Sequence, residues 1–252
     1  STTLKGLTPN TSYEYRLRYI NGDTDIVCEP VAFTTEQQIA LYNGGFENWW
    51  MDGKVAYANE QGVSFWDTSN KGAASFGGSN TTETTNANYV HSGSKAARLE
   101  SKYIVIKFAA ASLYTGSFIE LVGTKGAKLN WGVPFASRPT ALGEPDRCGM
   151  YCALLSEALV VDNTDMSTFP DWENDSRVIA YGSLPLDQNV HSNGAWKEVN
   201  IPLVYSNINK KPTHLLVVFS ASKYGDYFHG GEGSVLYVDD FSLEYGDTPA
   251  VK

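Results

Sequence analysis

The chain has 252 residues, 42% of them hydrophobic, enough for one large or two small domains and too many for wholesale disorder. Nineteen basic against 28 acidic residues give a net charge of −9. That balance excludes nucleic acid and anionic membrane surfaces, both of which need a basic field, and suits a neutral ligand. No apolar run reaches the length of a transmembrane helix.

Residues 1–36 read as a separate unit. Leu7-x-Pro9-x-Thr11-x-Tyr13 leads into strict alternation, with Tyr13, Tyr15, Leu17 and Tyr19 set against Glu14, Arg16 and Arg18. Asn21-Gly22 signals a turn and Val31 to Thr35 closes the unit. The pattern resembles the last third of a fibronectin type III or immunoglobulin-like domain, tyrosine corner included. Two strands cannot bury a core. Either further strands lie upstream, or these pack on the second domain.

After the polar junction Glu36-Gln37-Gln38, residues 37–247 form the second domain. It opens on Asn43-Gly-Gly-Phe-Glu47-Asn-Trp-Trp50. Residues 67–89 are rich in Gly, Ser, Thr and Asn and predict a long surface loop. Short apolar or alternating runs follow at 95–100, 103–109, 118–121, 128–135, 148–155, 177–181, 196–203, 215–221 and 234–245. Only 104–112 has helical periodicity. Regularly spaced strands of this kind predict an all-β jelly-roll β-sandwich. Cys28, Cys148 and Cys152 show no zinc spacing, and the last two on one strand would stand about 13 Å apart, beyond disulfide reach.

In the final run, alternation puts Val235, Tyr237, Asp239, Phe241 and Leu243 on one face. A carboxylate within an apolar face costs several kcal/mol unless it is satisfied. The opening Asn-Gly-Gly-Phe-Glu and the closing Tyr-Val-Asp-Asp-Phe-Ser-Leu resemble the two ends of a jelly-roll carbohydrate-binding module. In such modules the outer strands lie side by side and share a structural calcium ion. Glu47, Asp239 and Asp240 are the side-chain candidates, with carbonyls near Asn43 and Ser94 completing a shell of six to eight oxygens. A sodium ion, a water or a plain hydrogen-bond cluster is the alternative.

Sugar recognition needs a flat aromatic face with planar polar groups beside it, worth about 1–3 kcal/mol per ring. Trp66 with Asp67, Trp131 with Arg138, and Tyr224, Asp226 and Tyr227 supply that combination. Core packing is the competing reading for both tryptophans, since Leu129, Trp131 and Val133 alternate. Trp172, in a polar loop, reads as a loop cap. Asp67, Asp146 and Asp226 are the carboxylates from which a glycosidase would draw its facing pair.

Five blocks, Phe65 to Asn70, His91 to Leu99, Pro134 to Pro139, Gly143 to Cys148 (with Asp146) and Ser222 to Phe228, together resemble the "putative carbohydrate metabolism domain" family of Bacteroidetes surface proteins. The resemblance spans about residues 39–246. It implies a galactose-binding-like jelly roll, a poly- or oligosaccharide partner and an extracellular place on the bacterial outer surface, with a lipid anchor upstream of this chain. It assigns no catalytic residues. Members of the family carry a longer insertion between Leu142 and Gly143, missing here. A non-catalytic glycan binder is the expectation; a glycoside hydrolase or lyase, or an adhesive surface module without a sugar, are the alternatives.

Overall fold

The computed structural model describes residues 4–104, 107–143, 149–185, 194–222, 231–247 and 249–252. The chain divides into two compact units, Ser1–Ile39 and Ala40–Lys252.

In the first unit β1 (Ser12–Tyr15) and β4 (Val31–Thr34) pair antiparallel, as do β2 (Arg18–Asn21) and β3 (Thr24–Val27) around the Gly22 turn. The Tyr13 hydroxyl accepts the Thr8 N–H at 2.8 Å, the tie that the Leu-x-Pro-x-Thr-x-Tyr spacing predicts, and the Tyr13 ring stacks on Phe33. Leu17, Tyr19, Ile20, Ile26 and Val27 stay exposed. Two-stranded ribbons have too little area to bury them.

The second unit begins with β5 (Trp50–Asp52), β6 (Val55–Tyr57), β7 (Trp66–Thr68), the helix α1 (Asn70–Ala74), β8 (Thr81–Thr84) and β9 (Ala96–Glu100). Next come β10 (Lys102–Ile104), β11 (Lys107–Ala109), β12 (Ser112–Val122), β13 (Gly126–Trp131), β14 (Val133–Pro134), β15 (Ala141–Gly143) and β16 (Gly149–Leu155). The remainder are β17 (Leu159–Asp162), β18 (Val178–Ser183), β19 (Asn200–Pro202), β20 (Val204–Tyr205), β21 (His214–Ser220), β22 (Val235–Val238), β23 (Ser242–Glu244) and β24 (Ala250–Val251).

These strands make a jelly-roll β-sandwich. Its main sheet runs β17-β13-β12-β21-β16-β18-β20-β24, with β7 paired to β12 and β14 to β21. The sheets β22-β9-β8 and β19-β15-β23 are smaller. Alternation along the main strands separates two apolar faces. On the inner one, Phe219 meets Phe46, Trp66 and Phe241 at ring separations of 6.4, 6.0 and 5.0 Å. On the outer one, Tyr114, Trp131, Ala153, Leu155, Leu159, Val161, Val178, Leu216 and Val218 form a second buried cluster. Burial of each such large side chain contributes about 1.5–3 kcal/mol.

Two expectations are corrected. The 104–112 stretch is not helical: Tyr103 faces Phe108 across the β10–β11 pair, and β12 starts at Ser112. Nor is 67–89 a loop. It holds the end of β7, α1 and β8, because polar side chains there replace backbone partners. Buried Asn70 donates to the Ala56 and Thr81 carbonyls and accepts the Asn80 and Thr81 N–H groups. Asn59 does the same for both main-chain groups of Trp66.

Candidate functional site

The two chain ends of the second unit meet. The Phe241 N–H donates to the Gly44 carbonyl at 2.9 Å, and a Cβ on Gly44 would collide with the Phe241 carbonyl, so the opening Asn-Gly-Gly admits no side chain there. The 91–95 turn bridges the two segments. Glu47 accepts the Ser94 hydroxyl and N–H and the Lys95 N–H, and these donors, the Ser94 hydroxyl first, hold its carboxyl below the usual range. Asp239, 3% exposed, accepts the His91 and Ser92 N–H groups on one oxygen and the Asp240 N–H on the other. Burial still pushes its carboxyl up. Asp240, at φ 53°, accepts from Ser92 and pairs with His91.

These residues do not fit a calcium cage. A carboxylate offers about four lone-pair positions, and N–H or O–H donors take three at Glu47 and three at Asp239. Among the described residues no three His, Cys, Asp or Glu side chains converge as metal ligands. The carboxylate that alternation drives into the apolar face is satisfied by backbone amides instead.

Asp240 raises the His91 pKa above its usual value, the nearby Asp239 charge adds to this, and the Trp196 ring stands edge-on to the imidazole. A raised folded-state pKa stabilises fully below the unfolded value of about 6.5 and fades as pH climbs through the raised one. The melting-temperature gap between wild type and His91→Ala is therefore expected to be larger at pH 5.5 than at pH 8.5, by calorimetry. Asp240, held low by His91 and Ser92 against the opposing effect of burial, is still ionised at the lower pH.

The predicted sugar contacts part company. Trp66 and Asp67 are neighbours on β7, so they point to opposite faces of the sheet. Trp66 is 1% exposed in the inner aromatic nest, its indole N–H on the Tyr42 carbonyl, and offers no face to a ligand. Trp131, also 1% exposed, lies in the outer cluster under Phe169 and Tyr151. Both are core because alternation leaves each on an apolar face. Arg138, half-buried, donates to the Ile208 carbonyl at 2.6 Å and ties down that loop. Asp67 accepts the Phe118 N–H, freed by the β12 bulge, the Lys71 ammonium and the Thr68 N–H. Asp146, Tyr224, Asp226 and Tyr227 lie outside the described residues.

A different set of rings remains partly open. Asp67, Tyr114, Val218, Tyr151 and Ser183 face one another in turn across β7, β12, β21, β16 and β18, and so share the outer face. At the β16–β18 end of that row, half-buried Trp172 stacks on Tyr181 at 4.8 Å and 14°, with Tyr151 tilted against it at 5.4 Å. The loop carrying Trp172 is fixed. Asp171 accepts the Glu173 and Asn174 N–H groups and the Asn174 amide, while Asp175 grips the Arg177 backbone and guanidinium. The Lys252 ammonium donates to the Glu173 carbonyl. Burial raises the Tyr181 pKa, and its hydroxyl bonds the Ser183 side chain. Tyr151 and Tyr181 escape sequence reading; the available signal was a tyrosine on the alternating face of an otherwise aliphatic strand.

The fold defines a jelly-roll module. The chain belongs to the family described as "Putative carbohydrate metabolism domain", whose model matches residues 45–144 and 142–244. Two solved structures, each described as a "putative glycoside hydrolase", are similar. One, from Bacteroides thetaiotaomicron VPI-5482, is 18% identical at a TM-score of 0.63, covering 94% of this chain and 79% of its own. The other, from Bacteroides vulgatus ATCC 8482, is 19% identical at 0.59, covering 81% of this chain and 97% of its own. At such identities they establish the fold. No curated protein matches the chain. Among the described residues no helix is long and apolar enough to cross a membrane.

Proposed function

We propose that the second unit binds glycans on the outer face of its main sheet, with Trp172, Tyr151 and Tyr181 as the stacking surface. The observation that carries this reading is the Trp172–Tyr181 stack, a large ring locked by its own loop beside hydroxyl and carboxylate groups. A rigid aromatic gives stacking area at little entropic cost. The family supports the ligand class, and the Bacteroides sources of the two similar structures support a bacterial setting, for which the outer cell surface is our proposal. Titration against plant and host glycans is the test. Trp172→Ala is expected to weaken binding roughly 10–100-fold, or about 1.4–2.8 kcal/mol, with the fold retained by circular dichroism. Silence of wild type across the panel overturns the reading.

A second reading, glycoside hydrolysis, draws on how the two Bacteroides proteins are described. Asp67 suits neither carboxylate role, since Thr68, Phe118 and Lys71 occupy both its oxygens. The pair would be Asp146 and Asp226. Reducing sugar released from polysaccharide, and abolished in Asp146→Asn or Asp226→Asn, distinguishes hydrolysis from binding alone.

A further inference from the structure

The outer face of the β22-β9-β8 sheet, a different sheet from the one that carries the Trp172 shelf, holds an aromatic surface of its own. Tyr237, Arg98 and Thr82 are cross-strand partners in one row, so their side chains share that face. Tyr89 lies flat on Tyr237, with ring centroids 4.3 Å apart and planes 4° from parallel. It sits at the end of a short turn that Asn86 caps, its side chain accepting the Asn88 N–H and its carbonyl the Tyr89 N–H. Tyr237 covers one face of the Tyr89 ring from below, and Tyr89 is 38% exposed. The side chain of Arg98 donates to Glu100 at 2.9 Å and hydrogen-bonds the Tyr237 side chain.

We infer that this face is a second saccharide-binding surface, for a neutral pyranose chain. The flat outer side of Tyr89 matches the C–H face of a sugar ring, and the half-buried Tyr237 ring stacked beneath it lowers the entropy cost of ordering the platform. Beside it stand a planar guanidinium with five donors, a carboxylate and the Thr82 hydroxyl, the groups that bridge vicinal hydroxyls. Local charge balance fixes the class. Arg98 is already neutralised by Glu100, and Lys95, just before β9, by Glu83. An anionic sugar would have to displace Glu100 from the guanidinium. A neutral one needs only the remaining donors.

The inference extends glycan binding to a second surface and stands apart from the Trp172 shelf. The test uses the full chain, neutral tetraoses of glucose, mannose, galactose and xylose, and tetragalacturonate as the anionic arm. Calorimetric titration is expected to give two sites in wild type with at least one neutral tetraose. Tyr89→Ala should lose one of them by tenfold or more, Trp172→Ala the other, and the double variant both. Amide shifts in wild type should move at Arg98, Glu100 and Tyr237, a readout that does not depend on any variant folding. Tyr89→Ala binding like wild type, with those amides still, overturns the second surface while leaving the Trp172 shelf intact. Loss confined to Tyr89→Ala sustains this surface and sinks the shelf. Tetragalacturonate bound more tightly than every neutral tetraose, in a Tyr89-dependent way, overturns the neutral class, and no saccharide binding at all overturns both surfaces.

Discussion

Asn70→Ala is expected to lower the stability of the second unit by about 4 kcal/mol, a melting-temperature drop of roughly 8–16 °C for a unit of this size. Asn70 is fully buried, and its amide hydrogen-bonds four main-chain groups of β6, β8 and the turn before β8: the carbonyls of Ala56 and Thr81 and the N–H groups of Asn80 and Thr81. Alanine leaves all four facing a small cavity. Each buried unsatisfied group costs about 1–3 kcal/mol, reduced where water enters. Asn70→Asp tells hydrogen bonding from volume. It keeps the acceptor for the two N–H groups but sets a second oxygen against two carbonyls, so it should be as damaging as alanine at pH 7 and partly rescued near pH 4, where a protonated carboxyl donates. Asn88→Ala, at an exposed position, should change stability by less than about 0.5 kcal/mol. Calorimetric unfolding of the four proteins decides the matter, and an Asn70→Ala protein within 1 kcal/mol of wild type contradicts the account.

The same residue shows where sequence reading fails. A Gly, Ser, Thr and Asn-rich stretch looks like loop because those side chains compete with the backbone for hydrogen bonds. At Asn59 and Asn70 the competition ends inside the fold, with amides acting as extra strand rungs. Once 66–68 is a strand, Trp66 and Asp67 cannot serve one ligand, whatever their adjacency in sequence. The chain ends were legible for the opposite reason. Asp239 sits where a carboxylate is costly, and the cost itself announces a partner; the backbone amides that partner it come from the 91–95 turn, whose place no local pattern gives. Tyr151, Trp172 and Tyr181 were not legible as a group, because β16, a loop and β18 bring them together through tertiary register alone.

That partner choice leads to a large and opposed pair of outcomes. Asp239→Asn is expected to cost about 3 kcal/mol, while removing divalent cations should cost nothing. In the wild type one Asp239 oxygen accepts two N–H groups, from His91 and Ser92, and the other accepts the Asp240 N–H. Asparagine has one acceptor oxygen, so its NH2 must confront at least one of those donors in a site 3% exposed. Relief of the buried charge, whose carboxyl burial already pushes up, offsets part of that loss. A calcium ion shared by Glu47 and Asp239 predicts otherwise. A site of micromolar affinity would add about 4 kcal/mol at 1 mM calcium, and chelation would lower the melting temperature by roughly 8–16 °C. Hydrogen-bonded closure predicts coincident melting curves in EDTA and in calcium, with Asp239→Asn shifted equally in both. A calcium-dependent rise of more than about 3 °C in wild type, absent from Asp239→Asn, would place the cation back between the chain ends and free the 91–95 amides for other partners.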